Sequence, residues 1–165
     1  RHNVIIWPFV SAFWADAAHS QGFKDIFSFE LLNLADLALK SNNCFYEIYN
    51  SETGAVDGGW QFDHQWHSVH DQTWSATGYI RMIFNNLFGM RFTPKGLTFN
   101  PDVELLNEYG VEKLSNLRYL NGRLNIVISG KGTKLAAVKV NGKTQSVKKP
   151  IAPADGITQI ELIIK

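Results

Sequence analysis

Cysteine is almost missing from this chain: Cys44 is the single one in 165 residues. One cysteine forms no internal disulfide, so the fold must rest on packing, and a cysteine among apolar neighbours is expected to be packed and inert. Net charge is nearly absent too, at +1. That leaves no bulk field to draw the chain to nucleic acid or to an anionic membrane surface, so neither is an expected partner. No apolar run reaches the roughly 20 residues of a membrane-spanning helix, and no secretory signal pattern is visible. A phosphate loop is excluded, because Gly130-Lys131-Gly132-Thr133 lacks the required spacing. Tryptophan is missing from the whole second half, since Trp7, Trp14, Trp60, Trp66 and Trp74 all lie in the first.

What is present in quantity is aromatic surface, at 13% of residues. Most of the phenylalanines read as core. Clustered indoles among polar loops read differently: their flat faces stack on the apolar C–H faces of sugar rings, which points to a saccharide cleft.

Helical spacing dominates the first half. Phe9, Phe13, Ala17 and Val10, Trp14, Ala18 recur at that spacing behind Pro8, and Gly22 ends the segment. A second helix is predicted from about Ile26 to Lys40, capped by Asp25 and apolar nearly all round, as a helix buried between others would be. A third is predicted from Thr73 to Phe88, ended by Gly89. Between the last two lies a polar stretch, Asn42 to Gln72, too long for an idle connection. After Gly89 the pattern changes to alternation. Asn121-Gly122 and Asn141-Gly142 mark hairpins, and Ile157–Ile164 is a last strand. Three helices, one apolar all round, close no core by themselves. Further helices are therefore expected from a missing N-terminal part or from another chain, and a chain that starts in mid-pattern at Arg1 reads as a processed product or fragment.

Three motifs, in order, carry a resemblance: Trp7-Pro8-Phe9-Val10-Ser11-Ala12-Phe13-Trp14, Tyr46-Glu47-Ile48-Tyr49-Asn50-Ser51-Glu52-Thr53-Gly54 and Thr73-Trp74-Ser75-Ala76-Thr77-Gly78-Tyr79. Together they resemble the last hairpins of (α/α)6-barrel glycosidases, closest to the trehalase and processing α-glucosidase relatives and to bacterial six-hairpin glycosidases. Gly96-Leu97-Thr98-Phe99-Asn100-Pro101 resembles their post-barrel segment. The resemblance implies an α+β chain. Residues 1–100 would be the C-terminal hairpins of the (α/α)6 toroid, and 101–165 a small antiparallel, sandwich-like β-region. It also implies an inverting glycoside hydrolase acting on α-glucosidic or similar hexoside linkages, with Glu47 as general base and the general acid in an upstream hairpin outside this chain.

Inverting hydrolysis places two carboxyls roughly 6.5–9.5 Å apart, so that a water fits beneath the anomeric carbon. Glu47, flanked by Phe45, Tyr46, Ile48 and Tyr49, suits the base, whereas Glu52 between Ser51 and Thr53 reads as an exposed turn residue. Trp7 and Trp74, each opening a helix, and Trp60 are candidate sugar-stacking residues; Gln61 and Gln72 are candidate hydroxyl-binding residues. Asp63-His64, His67 and His70-Asp71 invite a metal, but the spacing drifts around a helix axis, so neither metal nor cofactor is expected. Asp16 and His19 read as a structural pair one turn apart. Two other readings stay open: a glycoside phosphorylase, which uses phosphate in place of water, and a carbohydrate-binding or structural module without catalysis.

Overall fold

Pro8 lacks an amide hydrogen, which costs nothing in a first helical turn, and α1 (Pro8–Ser20) begins on it in the computed structural model of the chain. The structure describes residues 5–61, 64–152 and 154–165, with backbone alone for 57–61 and 64. Gly22, at φ +84°, ends α1, where the Phe23 amide donates back to the Ala18 carbonyl at 2.9 Å. That bond is the long closure of a helix C-terminus and turns the chain directly into the next helix. α2 (Lys24–Lys40) starts two residues before the predicted point and takes Asp25 into its first turn. The two helices pack together, and Ala12, Ala15 and Ala18 of α1 and Phe27, Leu31 and Leu34 of α2 are buried. α3 (Thr73–Arg81) lies against α1 and runs on into a π-helical turn, Met82–Leu87. The approach is close at Gly78, where a Cβ would sit 3.0 Å from the Ala12 Cβ and 3.2 Å from the Phe9 Cα.

Two compact units make up the chain, residues 1–83 and 84–165. In the first, the stretch between α2 and α3 is not an open loop. It forms β2 (Tyr49–Asn50), β3 (Asp57–Gln61) and β4 (His64–His67). β2 pairs antiparallel with β1 (Ile5–Ile6), and β3 with β4.

The second unit opens with the hairpin β5 (Met90–Thr93) and β6 (Gly96–Phe99), followed by α4 (Val103–Glu108). Asp102 caps α4 by accepting the Leu105 amide at 3.2 Å. A five-stranded sheet follows, built from β7 (Lys113–Tyr119), β8 (Gly122–Gly130), β9 (Leu135–Val140), β10 (Lys143–Gln145) and β11 (Gly156–Ile164), in the order β10-β9-β11-β8-β7. Leu124 and Ile126 of β8, Val138 of β9, and Ile160, Leu162 and Ile164 of β11 are buried. Period-two alternation thus sends one face of the sheet inward.

Two expectations are corrected. The helices do not form a toroid of hairpins. α1 packs on α2 and α3, while the residues joining α2 to α3 pair as short strands instead of adding helix. Within this chain α2 is covered on one side only, with Phe29 67% exposed, Leu32 54% and Leu39 70%. The β-region is not purely antiparallel, because β11 runs parallel to β8 along its whole length and antiparallel to β9. Alternation reports which face a residue takes and is silent on strand direction, so this crossing was not legible in it.

Glu161 joins the three central strands. Its carboxylate accepts from the Ser129 hydroxyl of β8 at 2.7 Å and from the Lys139 ammonium of β9 at 2.9 Å. The Ser129 bond first, then the lysine, hold its pKa below the usual carboxylate value. A depressed carboxylate favours the folded state above its unfolded pKa, and that share is lost as pH falls through the folded one. The wild-type Tm is therefore expected to fall more steeply between pH 6 and pH 3 than that of Glu161→Gln. Parallel melting curves across that range would show the network to be idle.

Candidate functional site

The start of α1 is tied to the Glu47 motif by a two-residue β-bridge, which pairs Ile5 with Asn50 and Ile6 with Tyr49. Trp7 follows as the residue before the first helical turn, and its carbonyl accepts the amides of Val10 and Ser11 at 2.9 and 3.0 Å. The indole packs on a small buried cluster of Ile5, Ile48 and Trp66. Glu47 is therefore one residue from the cluster on which Trp7 rests.

Backbone bonds on the other side hold this segment still. The Glu47 amide donates to the Val69 carbonyl at 2.9 Å, and the Gln72 amide donates to the Phe45 carbonyl at 2.7 Å. Between them, the Ser68 hydroxyl accepts the Ile48 amide at 2.9 Å and donates to the Ile48 carbonyl at 2.7 Å. The Tyr49 hydroxyl accepts the Tyr46 amide at 3.1 Å. Glu47 itself is half-buried. The rest of the motif is a turn. Asn50 Oδ1 accepts the amides of Glu52 and Thr53, both at 2.9 Å, and Gly54 turns back at φ +70°. Asn50, Thr53 and Gly54 thus shape the loop that presents Glu47, and Glu52 is exposed in it, as expected.

Because residues 69–72 pair with this segment and lead into α3, Trp74 arrives beside Trp7. Their ring centroids are 6.2 Å apart, and Phe9 lies 6.1 Å from Trp7 and 5.7 Å from Trp74. Trp74 is 47% exposed, and Val10, Phe13 and Trp14 continue the exposed apolar strip along α1. A cavity of ≈ 600 Å³ opens against Trp7, Phe9, Val10 and Trp14, a size suited to a small ligand. Gln72 lines a second cavity of ≈ 630 Å³, with Phe45, Thr73 and Tyr79. Burial raises the Tyr79 pKa above its ordinary value.

Trp7 and Trp74 thus meet where α1 and α3 begin, while Gln72 faces the second cavity and Glu47, joined to this region through backbone bonds, lines neither cavity. Trp60 and Gln61 lie on β3 in the hairpin that joins β2 to this region, and their side chains fall outside the described residues. So does all of Asp63, and the side chain of His64. Asp16 forms an ion pair with Arg81 of α3, whose guanidinium lies 4.6 Å from the Phe13 ring centre, and His19 stacks at 4.8 Å on Phe27.

One constellation was not legible in the sequence. Cys44 is half-exposed rather than packed away, with its Sγ 3.1 Å from His70 Nε2. His70 Nδ1 in turn lies 2.8 Å from Asp71 Oδ2. The adjacency of His70 and Asp71 was a signal; the return of the chain onto Cys44 was not. No protein-family model matches the chain, and no curated protein sequence matches it.

Proposed function

We propose that this chain carries the general base and part of the sugar platform of an inverting glycoside hydrolase acting on α-glucosidic or similar hexoside linkages. One observation carries the reading: a glutamate on a backbone-pinned segment sits one residue from the small cluster on which Trp7 rests, and Trp7 lies beside the exposed Trp74. The motif resemblance supports the same assignment. A hexose ring stacks by its C–H face on the indoles, which orients its anomeric carbon and strips water from one side.

Glu47 takes a proton from a water as that water attacks the anomeric carbon from the face opposite the leaving group. The glycosidic C–O bond breaks, and the leaving oxygen takes a proton from a carboxylic acid supplied from outside this chain. Attack from one side and departure from the other invert the configuration. Gln72 binds sugar hydroxyls at the rim.

Two measurements test the reading. Tryptophan fluorescence of the chain titrated with gluco-oligosaccharides is expected to show saturable quenching. Trp74→Ala is expected to weaken that affinity about tenfold, the worth of roughly 1.4 kcal/mol of stacking. Proton NMR of the first product of the complete enzyme is expected to show the inverted anomer. Retained configuration, or unaltered affinity in Trp74→Ala, overturns the assignment.

A further inference from the structure

Beside the second cavity lies a chain of three groups that the glycosidase reading does not use. Cys44 Sγ is 3.1 Å from His70 Nε2, and Asp71 Oδ2 is 2.8 Å from His70 Nδ1. The imidazole is held on both nitrogens and on its face. The Tyr46 ring meets it edge-on, with centroids 4.7 Å apart at 80°. Asn42 and Asn43, at φ 57° and 62°, close the end of α2, where the Asn43 amide donates to the Ala38 carbonyl at 2.8 Å, and this helix end sets Cys44 opposite His70.

Two chemistries suit a cysteine, a histidine and an aspartate, and the geometry separates them. All three ligand atoms lie within 4.8 Å of one another, as a metal site would have them. Yet Asp71 bonds the ring nitrogen remote from the sulfur, so an ion held by Sγ and Nε2 would leave the carboxylate outside its coordination shell. The order carboxylate, imidazole, sulfur is instead that of a thiol with its own base and an orienting group behind it. Acyl transfer fits poorly, because it needs amide donors around the developing oxyanion, and the Cys44 amide is already committed to the Ser41 carbonyl at 3.3 Å. Thiol–disulfide exchange needs no such donors.

We propose that Cys44 is a built thiol-modification site, taking small disulfides that carry an aromatic or apolar group. The Cys44 proton moves to His70 Nε2, while Asp71 holds the Nδ1 proton. The thiolate attacks one sulfur of the disulfide R–S–S–R′. A Cys44–S–S–R bond forms and the old S–S bond breaks. The departing R′S⁻ takes the proton back from His70 and leaves as R′SH. Cys44 sulfur is oxidised and the leaving sulfur is reduced, so the disulfide is the only co-reactant. The cavity of ≈ 630 Å³ that Cys44 lines, with Ala35, Leu39, Phe45, Tyr79 and Ile80, receives the R group. Gln72 borders the same cavity, but the proposal does not rest on the Glu47 reading, and its test uses no hydrolase activity.

The full 165-residue chain is treated at pH 7 with 4,4′-dithiodipyridine and, separately, with hydroxyethyl disulfide, and thiol release is followed against a short cysteine peptide. The expected result is one equivalent released, with the aromatic disulfide reacting about tenfold faster than the peptide does. The small polar disulfide should gain less. Cys44→Ala should release nothing. His70→Ala should fall to the peptide rate and recover in part with added free imidazole, which wild type should ignore; a merely structural histidine would not respond. Asp71→Asn should react several-fold more slowly with an unchanged circular dichroism spectrum. A wild-type rate equal to the peptide's, or no imidazole rescue in a folded His70→Ala, overturns the proposal. So does stoichiometric zinc that protects Cys44 at micromolar concentration, which would make the trio a metal site instead.

Discussion

Replacing Glu47 with glutamine in the enzyme that contains this chain is expected to leave saccharide affinity within a few-fold and to lower turnover by about 10²–10⁴-fold. Glutamine keeps the shape and the polar contacts of the side chain but takes no proton from water. The backbone at this position is set by bonds its side chain does not make, from the Glu47 amide to Val69 and from Ile48 to Ser68. The substitution should therefore leave the loop in place, and a matched circular dichroism spectrum would confirm that. The loss should appear in kcat with KM little altered, since the base works on the attacking water and not on the bound sugar. Azide offered with the glycosyl fluoride of the substrate's own configuration should restore part of the rate, because a nucleophile that is already an anion needs no base. A folded Glu47→Gln enzyme that hydrolyses its substrate at the parental rate would remove Glu47 from the mechanism.

The second large effect is expected at Gly89. Its φ of +59° is left-handed, and a Cβ built there would lie 1.8 Å from the Asn100 carbonyl oxygen and 2.0 Å from its carbon. Both atoms are backbone, so no side chain can swing aside. The contact is fixed from both ends, since the Asn100 amide donates to the Gly89 carbonyl at 2.9 Å and Met90 pairs with Phe99. Gly89→Ala must either open the β5–β6 hairpin or displace the lead-in to α4. A loss of about 3 kcal/mol or more is expected, the range of substitutions that force strain into a packed site. Gly110→Ala is the control: it has a similar φ of +61° but nothing within 4 Å of the added carbon. It should cost only about 1–2 kcal/mol, the intrinsic penalty of that backbone conformation. Chemical denaturation followed by far-ultraviolet circular dichroism reports both, and equal losses would mean that close approach to Asn100 plays no part.

How far the fold could be read from the residues depended on the range of the forces involved. Pro8 and Gly22 bounded α1 because their constraints are local. Asn141-Gly142 turned the β9–β10 hairpin where expected, with both residues at positive φ. Asn121-Gly122 also marked a hairpin but not its centre. Tyr119 pairs with Gly122, so Leu120 and Asn121 make the turn, and Leu120 takes the left-handed position at φ 50°. The glycine is needed instead for closeness, since a Cβ there would lie 2.1 Å from the Ala154 carbonyl oxygen. That neighbour is distant in sequence, so a turn rule cannot see it. The same limit hid β3 and β4 inside a polar stretch and concealed the meeting of Cys44 with His70, 26 residues apart. It also explains α2: an all-round apolar pattern says that partners are wanted and is silent on whether this chain supplies them. At the candidate site, Glu47 and Trp74 were legible through ordered motifs. The pairing of residues 45–47 with 69–72, which brings them together, was not.

The placement of β11 has a consequence for the order of events during synthesis. The strand occupies the middle of the sheet, between β8 and β9, yet it is made after every other strand in it. Hairpins β7–β8 and β9–β10 can form as they emerge, but each keeps a bare edge until residues 156–164 arrive to zip between them. Until then the nascent second unit exposes two unpaired strand edges and the apolar side chains of Leu124, Ile126 and Val138. Such edges recruit neighbouring chains. Any pause before residues 156–164 prolongs that exposure, and a message cut short before the codon for Gly156 would yield a sheet with no centre, a substrate for proteolysis and not a shortened but working protein.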